Sequence, residues 1–538
     1  MPQSSPSKMQ PPFPPTRFVP ALGCFCALLF LLGIAFRPAW LATYDLAWPY
    51  DDDLFRDAAL AQTIIRGDFP ADAYYAGEQN WYNPLGPAVV GGIARVFALE
   101  PVEAYAHYGA IIGLAVPLAL FGLAVGLFGR WTALAALFAF LFLRPNEIPP
   151  WAAPSYSPWL FTNLLSLVPF ALTVIVALRA RDIGRYRLWA ACGLLLGVTF
   201  LTHTATAVVA GSVALVLACE RARVRAVAIR WGLVLVPAFV VSAPLLGTIL
   251  WHYGLQVKNT APQDFIWEET DLHRISELFW GALNLRNAIA LGGFVMLFRG
   301  RINRATRLTL ITSLGVCSVM FLYGYARQAW PNAHLPGLVP PFHWLFHLRL
   351  AGTLLLGYGL YCVADAITTL LARWRRLPVP IMLLLTLGIL LPFQLGPFLH
   401  RFDFERARRM SLEYTSLAGF GDTIVWLHRQ TPPDTVVLAP PHDALIILGA
   451  AGRKTVALDQ VFSNPYVAYE PRIAVTDYMS RTLADHRRDD FIQMAAKHGV
   501  SYVLLTDAVP PYADRCLSAP FVTLVFSSGH FAILRIEH

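Results

Sequence analysis

Residues 51–58 read DDDLFRDA, three consecutive aspartates followed by an arginine and a fourth aspartate. Apolar residues then recur at helical spacing from Leu54 to Ile65, which predicts a short amphipathic helix over 54–66 with the acids at its N-terminal end. The helix dipole favours negative charge there by about 0.3–1 kcal/mol, so capping is one explanation of the acids. One aspartate suffices for a cap, and three together suggest that one of them is catalytic or binds a metal.

The rest of the chain predicts an α-helical protein that crosses a membrane many times. Of its 538 residues 56% are hydrophobic and only 14% are charged, whereas soluble domains carry about 25% charged residues. About eleven runs approach the length of roughly 20 apolar residues that spans a bilayer. They are 18–41, 106–128, 131–144, 159–178, 187–201, 204–219, 228–250, 278–298, 306–324, 347–372 and 377–397.

Basic residues in the short loops predict which ends of the spans face the cytoplasm. The clusters are 179–187, 220–225, 299–307 and 373–376. Placing all four inside puts an N-terminal tail (1–17) in the cytoplasm and the C-terminus outside, provided that the short apolar segment 86–99 lies on or dips into the surface. The net charge of +8 then reflects orientation, and it indicates no nucleic-acid partner.

Two further divisions follow from this topology. Residues 18–398 form the predicted transmembrane domain, with a large first outer loop (42–105) that carries the aspartates. Residues 399–538 change character and predict a small extracytoplasmic α/β domain: 421–441 reads as helix, proline turn and strand, 494–507 as helix and strand, and 521–538 as a hairpin. The sequence around its His442, Asp443 and Asp459 shows no nucleophile or metal pattern, so no catalytic group is expected there.

The layout resembles the GT-C superfamily of membrane glycosyltransferases, which includes the protein-mannosyl and aminoarabinose transferases. Their first outer loop opens with an acidic pair, followed by an amphipathic helix, a Tyr/Pro-Leu element, a partial helix and the second span. The matching parts here are DDD at 51–53, 54–66, WYNPLGP at 81–87, 88–99 and 106–128. The hairpin 193–211 and the later span within 342–360 are also similar to family elements.

The resemblance implies transfer of a sugar from a polyprenyl-phosphate carrier, with inversion at the anomeric carbon. A carboxylate at the membrane interface would take the proton of the acceptor hydroxyl, while a cation or metal would stabilise the departing phosphate. The family pattern implies Asp51 or Asp52 as the base; we favour Asp52 and leave Asp53 as a cap. No sugar is identified, and the acceptor could be a glycan, a lipid or a protein.

Several other residues are candidates for binding the substrate. Arg349 opens a span next to His347, although it could equally mark the membrane interface, and Arg286 lies inside an apolar span, where an unpaired charge is costly and usually faces a cavity. His203 lies at the outer turn of a hairpin, as in the family, although a lone histidine there is more often a satisfied interface residue. Tyr82 belongs to the Tyr/Pro-Leu element.

The remaining charged candidates are a possible metal ligand and an arginine–aspartate pair in the first outer loop. Glu147 is the single acid in the outer loop 145–158, where some family members place a metal-associated acid. It lacks their paired acids, so a divalent metal stays open and the cofactor unknown. Arg56 and Asp57 are expected to form a solvated pair with each other or with the neighbouring acids.

Two other functions are compatible with such a chain. A polytopic transporter also places charges in its membrane domain, although we find no inverted-repeat signal and no matched pair of broken helices. A non-catalytic GT-C-like scaffold in envelope assembly is the other. The sequence contains no N-x-S/T sequon, which favours a bacterial inner membrane, and its lipid partners are then the bilayer and an undecaprenyl-phosphate carrier.

Overall fold

The structure, a computed structural model, describes residues 18–220, 222–299, 302–337, 339–372, 377–506 and 512–537. The predicted cytoplasmic tail (1–17) and the basic cluster 373–376 lie outside the described residues. The chain is mostly helical and ends in a five-stranded sheet. This confirms the predicted fold class of a polytopic helical protein with a small C-terminal α/β part.

The helices of the membrane part are apolar along most of their length. Within the described residues, seven are long and apolar enough to cross a membrane, or up to nine if each of two bent pairs counts as one span. In chain order the helices before residue 400 are α1 (Phe18–Thr43), α2 (Asp52–Arg66), α3 (Leu85–Phe97), α4 (Pro101–His107), α5 (Gly109–Ile112), α6 (Ala115–Phe128), α7 (Arg130–Phe142), α8 (Thr162–Leu165), α9 (Leu167–Ile183), α10 (Tyr186–Thr202), α11 (Thr204–Cys219), α12 (Val224–Thr248), α13 (Ala261–Asp264), α14 (Ile275–Ala282), α15 (Leu285–Arg299), α16 (Arg304–Ala329), α17 (Pro341–Leu371) and α18 (Val379–Leu399).

The number of spans differs from the eleven that the hydropathy pattern predicts. A helix occupies each predicted range, but α7, α10 and α11 have only 13, 17 and 16 residues, and a full crossing takes about 20. The predicted span 278–298 is a pair of helices bent by 81°. The segment 86–99, predicted to lie on or dip into the surface, forms α3 and meets α4 at 97°.

The acidic stretch begins a helix, as its sequence predicts. Helix α2 starts at Asp52, two residues before the predicted start, and ends at Arg66. Its C-cap is Gly67, whose φ of 85° lies in the left-handed region that favours glycine. Its apolar face, including Leu54, Phe55 and Ala58, is fully buried. The burial of that face fixes which way the acids at its N-terminus point.

The C-terminal sheet combines three parallel strands with a hairpin. Its strands are β1 (Val436–Leu438), β2 (Lys454–Thr455), β3 (Val500–Thr506), β4 (Val522–Ser528) and β5 (Phe531–Ile536), and its helices are α19 (Arg406–Ser416), α20 (Phe420–Gln430), α21 (Pro441–Asp443), α22 (Gly449–Ala451), α23 (Tyr469–Ala484), α24 (Arg488–His498) and α25 (Tyr512–Leu517). The strand order is β2-β1-β3-β5-β4, with β1 parallel to β2 and β3, and with β5 antiparallel to β3 and β4. The helix–strand pairs and the terminal hairpin occur where predicted, while the domain boundary at residue 399 stays a prediction.

The first outer loop is docked on this sheet domain. The amide of Gln62 in α2 donates to the carbonyl oxygen of Ala450 at 2.6 Å, and the hydroxyl of Tyr74 donates to that of Leu445 at 2.9 Å. The backbone N–H of Thr455 in β2 donates to the carbonyl of Tyr74 at 2.8 Å. Because side-chain and backbone bonds both cross this contact, the C-terminal half of α2 and the segment that follows it are fastened to the sheet domain.

Candidate active site

The three consecutive aspartates have three different environments. Asp51 is the N-cap of α2: its Oδ1 accepts from the backbone N–H of Asp53 at 3.0 Å. The carboxylate of Asp53 pairs with the guanidinium of Arg56 at 2.6 Å. Asp52 makes no side-chain hydrogen bond or ion pair with the residues that the structure describes, and it is therefore the carboxylate that remains available for chemistry. The cap is Asp51, so the expectation that Asp53 is only a cap is wrong.

Burial sets the protonation of the two candidate bases. Burial, together with the nearby carboxylates of Asp53 and Asp52, raises the pKa of Asp51 well above its ordinary value. Burial also raises the pKa of Asp52, to about 6, while the charge of His442 acts in the opposite direction. A general base works best with a pKa near the working pH, and Asp52 meets that condition.

Arg56 and Asp57 are paired, as expected, but they are not solvated. The guanidinium of Arg56 lies 2.8 Å from Asp57, whose side chain is only 1% exposed, and it stacks over the ring of Tyr82 at 3.7 Å. Asp57 also accepts a hydrogen bond from the hydroxyl of Thr162 at 2.6 Å. The pair therefore anchors α2 to Thr162 at the start of α8, and the ring of Tyr82 stacks on Arg56.

Two residues of the C-terminal domain complete the surroundings of Asp52. One carboxylate oxygen of Asp52, one ring nitrogen of His442 and one carboxylate oxygen of Asp459 lie within 4.8 Å of one another. The Nδ1 atom of His442 is 3.1 Å from Oδ2 of Asp459. This contradicts the expectation that no metal-ligating pattern forms around His442 and Asp459, while the expectation that the C-terminal domain holds no catalytic group stays a prediction.

Strand ends explain why these two side chains meet. His442 follows the end of β1 by four residues, and Asp459 follows the end of β2 by the same number. Neighbouring parallel strands end at the same edge of a sheet, so residues that follow them lie together. Sequence reasoning missed this pair, and the strand-end positions of APPHD and VALD were the signal that could have found it.

The spacing of these three groups would admit a divalent cation. The hydrogen bond to Asp459, with the nearby charge of Asp52, raises the pKa of His442 above its ordinary value. A proton and a metal ion would compete for the same ring nitrogen of His442, because only the neutral imidazole offers a lone pair. Asp52, His442 and Asp459 are the one group of three potential metal-ligating side chains found in the described part of the chain, and Glu147 does not belong to it. A metal at Glu147 stays a prediction.

The predicted histidines cluster around Thr206 at the outer hairpin turn. Its hydroxyl lies 3.1 Å from Nδ1 of His203 and 3.1 Å from Nε2 of His347, and the rings of His203 and His343 are 4.6 Å apart. His203 also caps α11 by accepting from the N–H of Thr206. The turn is joined to the Tyr/Pro-Leu element, because the Asn83 amide donates to the carbonyl of Phe200 at 2.5 Å.

Arg349, Arg286 and Glu147 line one cavity of about 630 Å³ between the apolar helices. Arg349 pairs with Glu269 and donates to the carbonyl of Ala152. Arg286 donates to the carbonyl of Leu143 at 2.7 Å and has no carboxylate partner among the described residues. Arg286 is therefore the more available cation of the two.

The cavity and the aspartates are separate in this structure. None of the three aspartates lines the cavity. Tyr50, next to Asp51, is buried against the ring of Trp159 at 4.8 Å, and the indole N–H of Trp159 donates to the carbonyl of Asp403. Asp403 in turn pairs with Arg144, which lines the cavity, so this chain of contacts forms the wall between the two regions.

The sequence matches no protein family signature and no curated protein. Among solved structures, the chain is similar to ArnT from Cupriavidus metallidurans bound to undecaprenyl phosphate, with a TM-score of 0.56 and 12% identity over 94% of this chain and 97% of that chain. It is also similar to the arabinofuranosyltransferase AftD from Mycobacteria, with a TM-score of 0.52 and 14% identity over 96% of this chain and 40% of that one. The fold is thus that of the GT-C glycosyltransferases, as the sequence resemblance predicted.

Proposed function

We propose that this chain, which has a GT-C fold, is an inverting glycosyltransferase that moves a sugar from a polyprenyl-phosphate carrier to an acceptor hydroxyl at the outer face of the membrane. The observation that carries the proposal is the environment of Asp52: a half-buried carboxylate at the start of the first outer loop, with no bonding partner among the described residues and a pKa of about 6. The similar solved structures include one with a bound polyprenyl phosphate. That likeness supports the choice of carrier.

The chemistry assigned to Asp52 is a single proton transfer coupled to displacement. Its carboxylate takes the proton of the acceptor hydroxyl, and the acceptor oxygen forms a bond to the anomeric carbon of the sugar. The bond between that carbon and the phosphate oxygen breaks, and its electron pair leaves with the carrier phosphate. Attack from the face opposite the phosphate inverts the anomeric centre.

The cavity between the apolar helices is the proposed site of the carrier phosphate, and the reaction then requires the wall at Tyr50 and Trp159 to open toward Asp52 when the donor binds. Arg274 is paired with Glu268 and Glu277, and Arg349 with Glu269, whereas Arg286 holds only a carbonyl oxygen among the described groups. A phosphate dianion would give Arg286 the charged partner that it lacks in a place where an unpaired charge is costly. We therefore rank Arg286 above Arg349, the reverse of the order in which the sequence suggests them.

The remaining substrate-binding predictions concern groups that already have protein partners. Tyr82 covers Arg56, and both His203 and His347 contact Thr206. They would act on the sugar only by exchanging one of these contacts. Their roles stay predictions.

The test is transfer by the purified protein in proteoliposomes that contain an undecaprenyl-phosphate sugar. A panel of donor sugars is offered together with lipid, glycan and peptide acceptors, and the product is detected by mass spectrometry. Transfer by the wild type and its loss in Asp52→Asn supports the proposal. Movement of the intact sugar lipid across the membrane without transfer would instead favour a transporter, and neither activity would favour a scaffold.

The outer position of the site is a separate proposal with a separate test. Asn303 belongs to a basic cluster that we place in the cytoplasm, and the exposed Asp489 belongs to the domain that we place outside. Single cysteines at these positions, in a background without reactive native cysteines, should react with a membrane-impermeant maleimide from the inside and the outside, respectively. External labelling at 303 would overturn the whole orientation.

A further inference from the structure

We propose that Glu269 determines which phosphate group the cavity accepts: it neutralises Arg349, leaves Arg286 as the free cation, and so selects a donor whose phosphate carries a single negative charge. A sugar linked to a lipid through one phosphate is such a donor, because a phosphodiester is a monoanion. A sugar linked through a diphosphate carries a second charge and is disfavoured. This inference rests on the proposed function, and it goes further in assigning the choice of donor to a residue of the outer loop 251–277.

Charged side chains of both signs line the cavity. Its arginines are Arg144, Arg274, Arg286 and Arg349, and its glutamates are Glu147, Glu268, Glu269 and Glu277. Arg144 pairs with Asp403 at 2.9 Å. Arg274 pairs with Glu268 at 2.9 Å and with Glu277 at 2.6 Å. These two arginines are therefore already neutralised and are poor ligands for an incoming anion.

The charge of Arg349 is neutralised by Glu269. The two side chains are only 22% and 32% exposed, so their ion pair is not of the fully solvated kind that contributes little. The guanidinium also donates to the carbonyl of Ala152 at 2.9 Å. Arg349 lies close enough to act electrostatically on Arg286, so one phosphate could contact both arginines if Glu269 released its partner. Glu147 is exposed, and water and salt screen its charge.

The turn that carries Glu269 is held in place from both sides. Thr270 is fully buried, and its hydroxyl donates to the carbonyl of Trp267 at 2.8 Å. The side-chain amide of Gln328, near the end of α16, donates to the carbonyl of Thr270 at 2.9 Å. The oxygen of the same amide accepts from the backbone N–H of Leu272 at 2.8 Å. Because its backbone is fixed in this way, Glu269 loses little conformational entropy when it pairs with Arg349.

The charge of the phosphate changes during the proposed reaction. When the bond to the anomeric carbon breaks, its electron pair stays on the phosphate oxygen, and the free carrier phosphate is a dianion above its second pKa of about 6. The Coulomb energy is proportional to the charge of each partner. A site with one free guanidinium therefore holds the dianionic product less tightly than a site with two would, and this favours its release.

The experiment measures lipid binding without any transfer. The full-length protein in nanodiscs is titrated at pH 8 with undecaprenyl methyl phosphate, a monoanion, and with undecaprenyl phosphate, a dianion, and binding is read by native mass spectrometry. The variants are Glu269→Gln, the control Glu277→Gln, and Glu269→Gln combined with Arg349→Gln. Glu277→Gln is a matched control, because it removes the same charge from the cavity lining while Arg274 keeps Glu268 at 2.9 Å.

We expect Glu269→Gln to bind undecaprenyl phosphate at least ~10-fold more tightly than the wild type, as the gain of one charge-assisted contact implies. The gain for the methyl phosphodiester should be about half as large on a logarithmic scale, because its charge is half that of the dianion. The double variant should lose both gains, since the freed cation is gone. Glu277→Gln should change either affinity by less than ~3-fold, as for a charge in contact with solvent.

Three outcomes would overturn the inference. They are no gain of affinity in Glu269→Gln, a gain of equal size for the two lipids, and an equal gain in Glu277→Gln, which would show that only the total charge of the cavity matters. The binding result does not depend on the reaction. If the affinities change as expected but no sugar is transferred from any donor, the proposed function fails and the role of Glu269 in phosphate binding stands. If sugar is transferred and the affinities do not change, the inference fails and the proposed function stands.

Discussion

Replacing Asp52 by Asn should stabilise the protein while abolishing its activity. The pKa of Asp52 is raised from an ordinary value of 3.8 to about 6, which means that the folded protein holds the ionised carboxylate less well than the unfolded chain does. Taken in full, this difference is worth about 3 kcal/mol at neutral pH, as an upper limit for a side chain that solvent still reaches. Asn has no charge to bury, and the carboxylate has no hydrogen bond among the described residues that Asn would lose.

The pH dependence of this effect has a definite sign. Because the folded-state pKa is raised, the contribution of the protonated carboxyl is fully present below about pH 4 and is lost as the pH rises through about 6. The gain in the free energy of unfolding from Asp52→Asn should therefore be absent near pH 4, grow between pH 4 and 6, and reach ~1–3 kcal/mol above pH 6.5. Denaturant or thermal unfolding in a single detergent measures it.

The neighbouring aspartates provide matched controls on the same turn of helix. Asp53→Asn removes the 2.6 Å pair with Arg56 and should lower stability. Asp51→Asn keeps a side-chain oxygen that can cap α2 and should raise stability at neutral pH as Asp52→Asn does, because burial raises the pKa of Asp51 as well; transfer activity then separates the two variants. Transfer should fall ~10²–10⁴-fold in Asp52→Asn, the usual cost of losing a general base. Refutation would come from an Asp52→Asn protein that still transfers sugar, or one that is less stable than the wild type at pH 7.

Three further predictions concern other parts of the molecule. The value of kcat/KM for wild-type transfer should fall about tenfold for each pH unit below the pKa of Asp52, about 6, because the base must be ionised; a flat acidic limb would argue against this base. Arg286→Gln should raise KM for the polyprenyl-phosphate donor at least ~10-fold, as a charge-assisted contact worth about 1.5–3 kcal/mol implies. The control Arg274→Gln removes a cavity arginine that is already paired with two glutamates and should change KM less. Equal effects of the two variants would count against a phosphate at Arg286. Gly452→Ala should weaken docking of the outer loop and speed its proteolysis, because the φ of Gly452 is +66° and an added Cβ would lie 1.9 Å from Oε1 of Gln62. The control Gly77→Ala has the same kind of backbone strain, with φ +77°, but its Cβ would enter open space. Equal proteolysis of the two variants would therefore exclude the clash with Gln62 as the cause.

Local patterns in the sequence predicted the fold well, because hydropathy and helical periodicity are properties of contiguous residues. They predicted α2, the helix–strand pairs of the C-terminal part and a helix in every apolar run. They counted α7, α10 and α11 as spans although the runs 131–144, 187–201 and 204–219 are already shorter than the roughly 20 residues of a full crossing. The bend between α14 and α15 was also invisible, because the residues at the break are not distinctive.

The sequence alone could identify only those residues of the candidate site that lie together in one continuous segment. The three aspartates stand together in the sequence, and their grouping was enough to identify them. Which of the three carboxylates has no hydrogen-bond or ion-pair partner depends on the N-cap formed by Asp51 and on the pair between Asp53 and Arg56. Both contacts follow from the helix starting at Asp52. His442 and Asp459 could not be connected to Asp52, since no periodicity links residues about 400 positions apart. The pairing of Arg349 with Glu269 escaped sequence reasoning for the same reason.

The docking of the first outer loop on the last domain has a consequence for biogenesis. Gln62 and its partner Ala450 are separated by 388 residues, so the ribosome makes the loop long before it makes the surface that the loop covers. At ~5–20 residues per second, the interval is on the order of 20–80 s. During that time α2 lacks the part of its packing surface that the C-terminal domain supplies. A chain whose synthesis stops after the last membrane helix would carry every proposed base and phosphate ligand and still lack the surface on which the loop docks, so maturation of the protein should be timed by the arrival of its C-terminal domain.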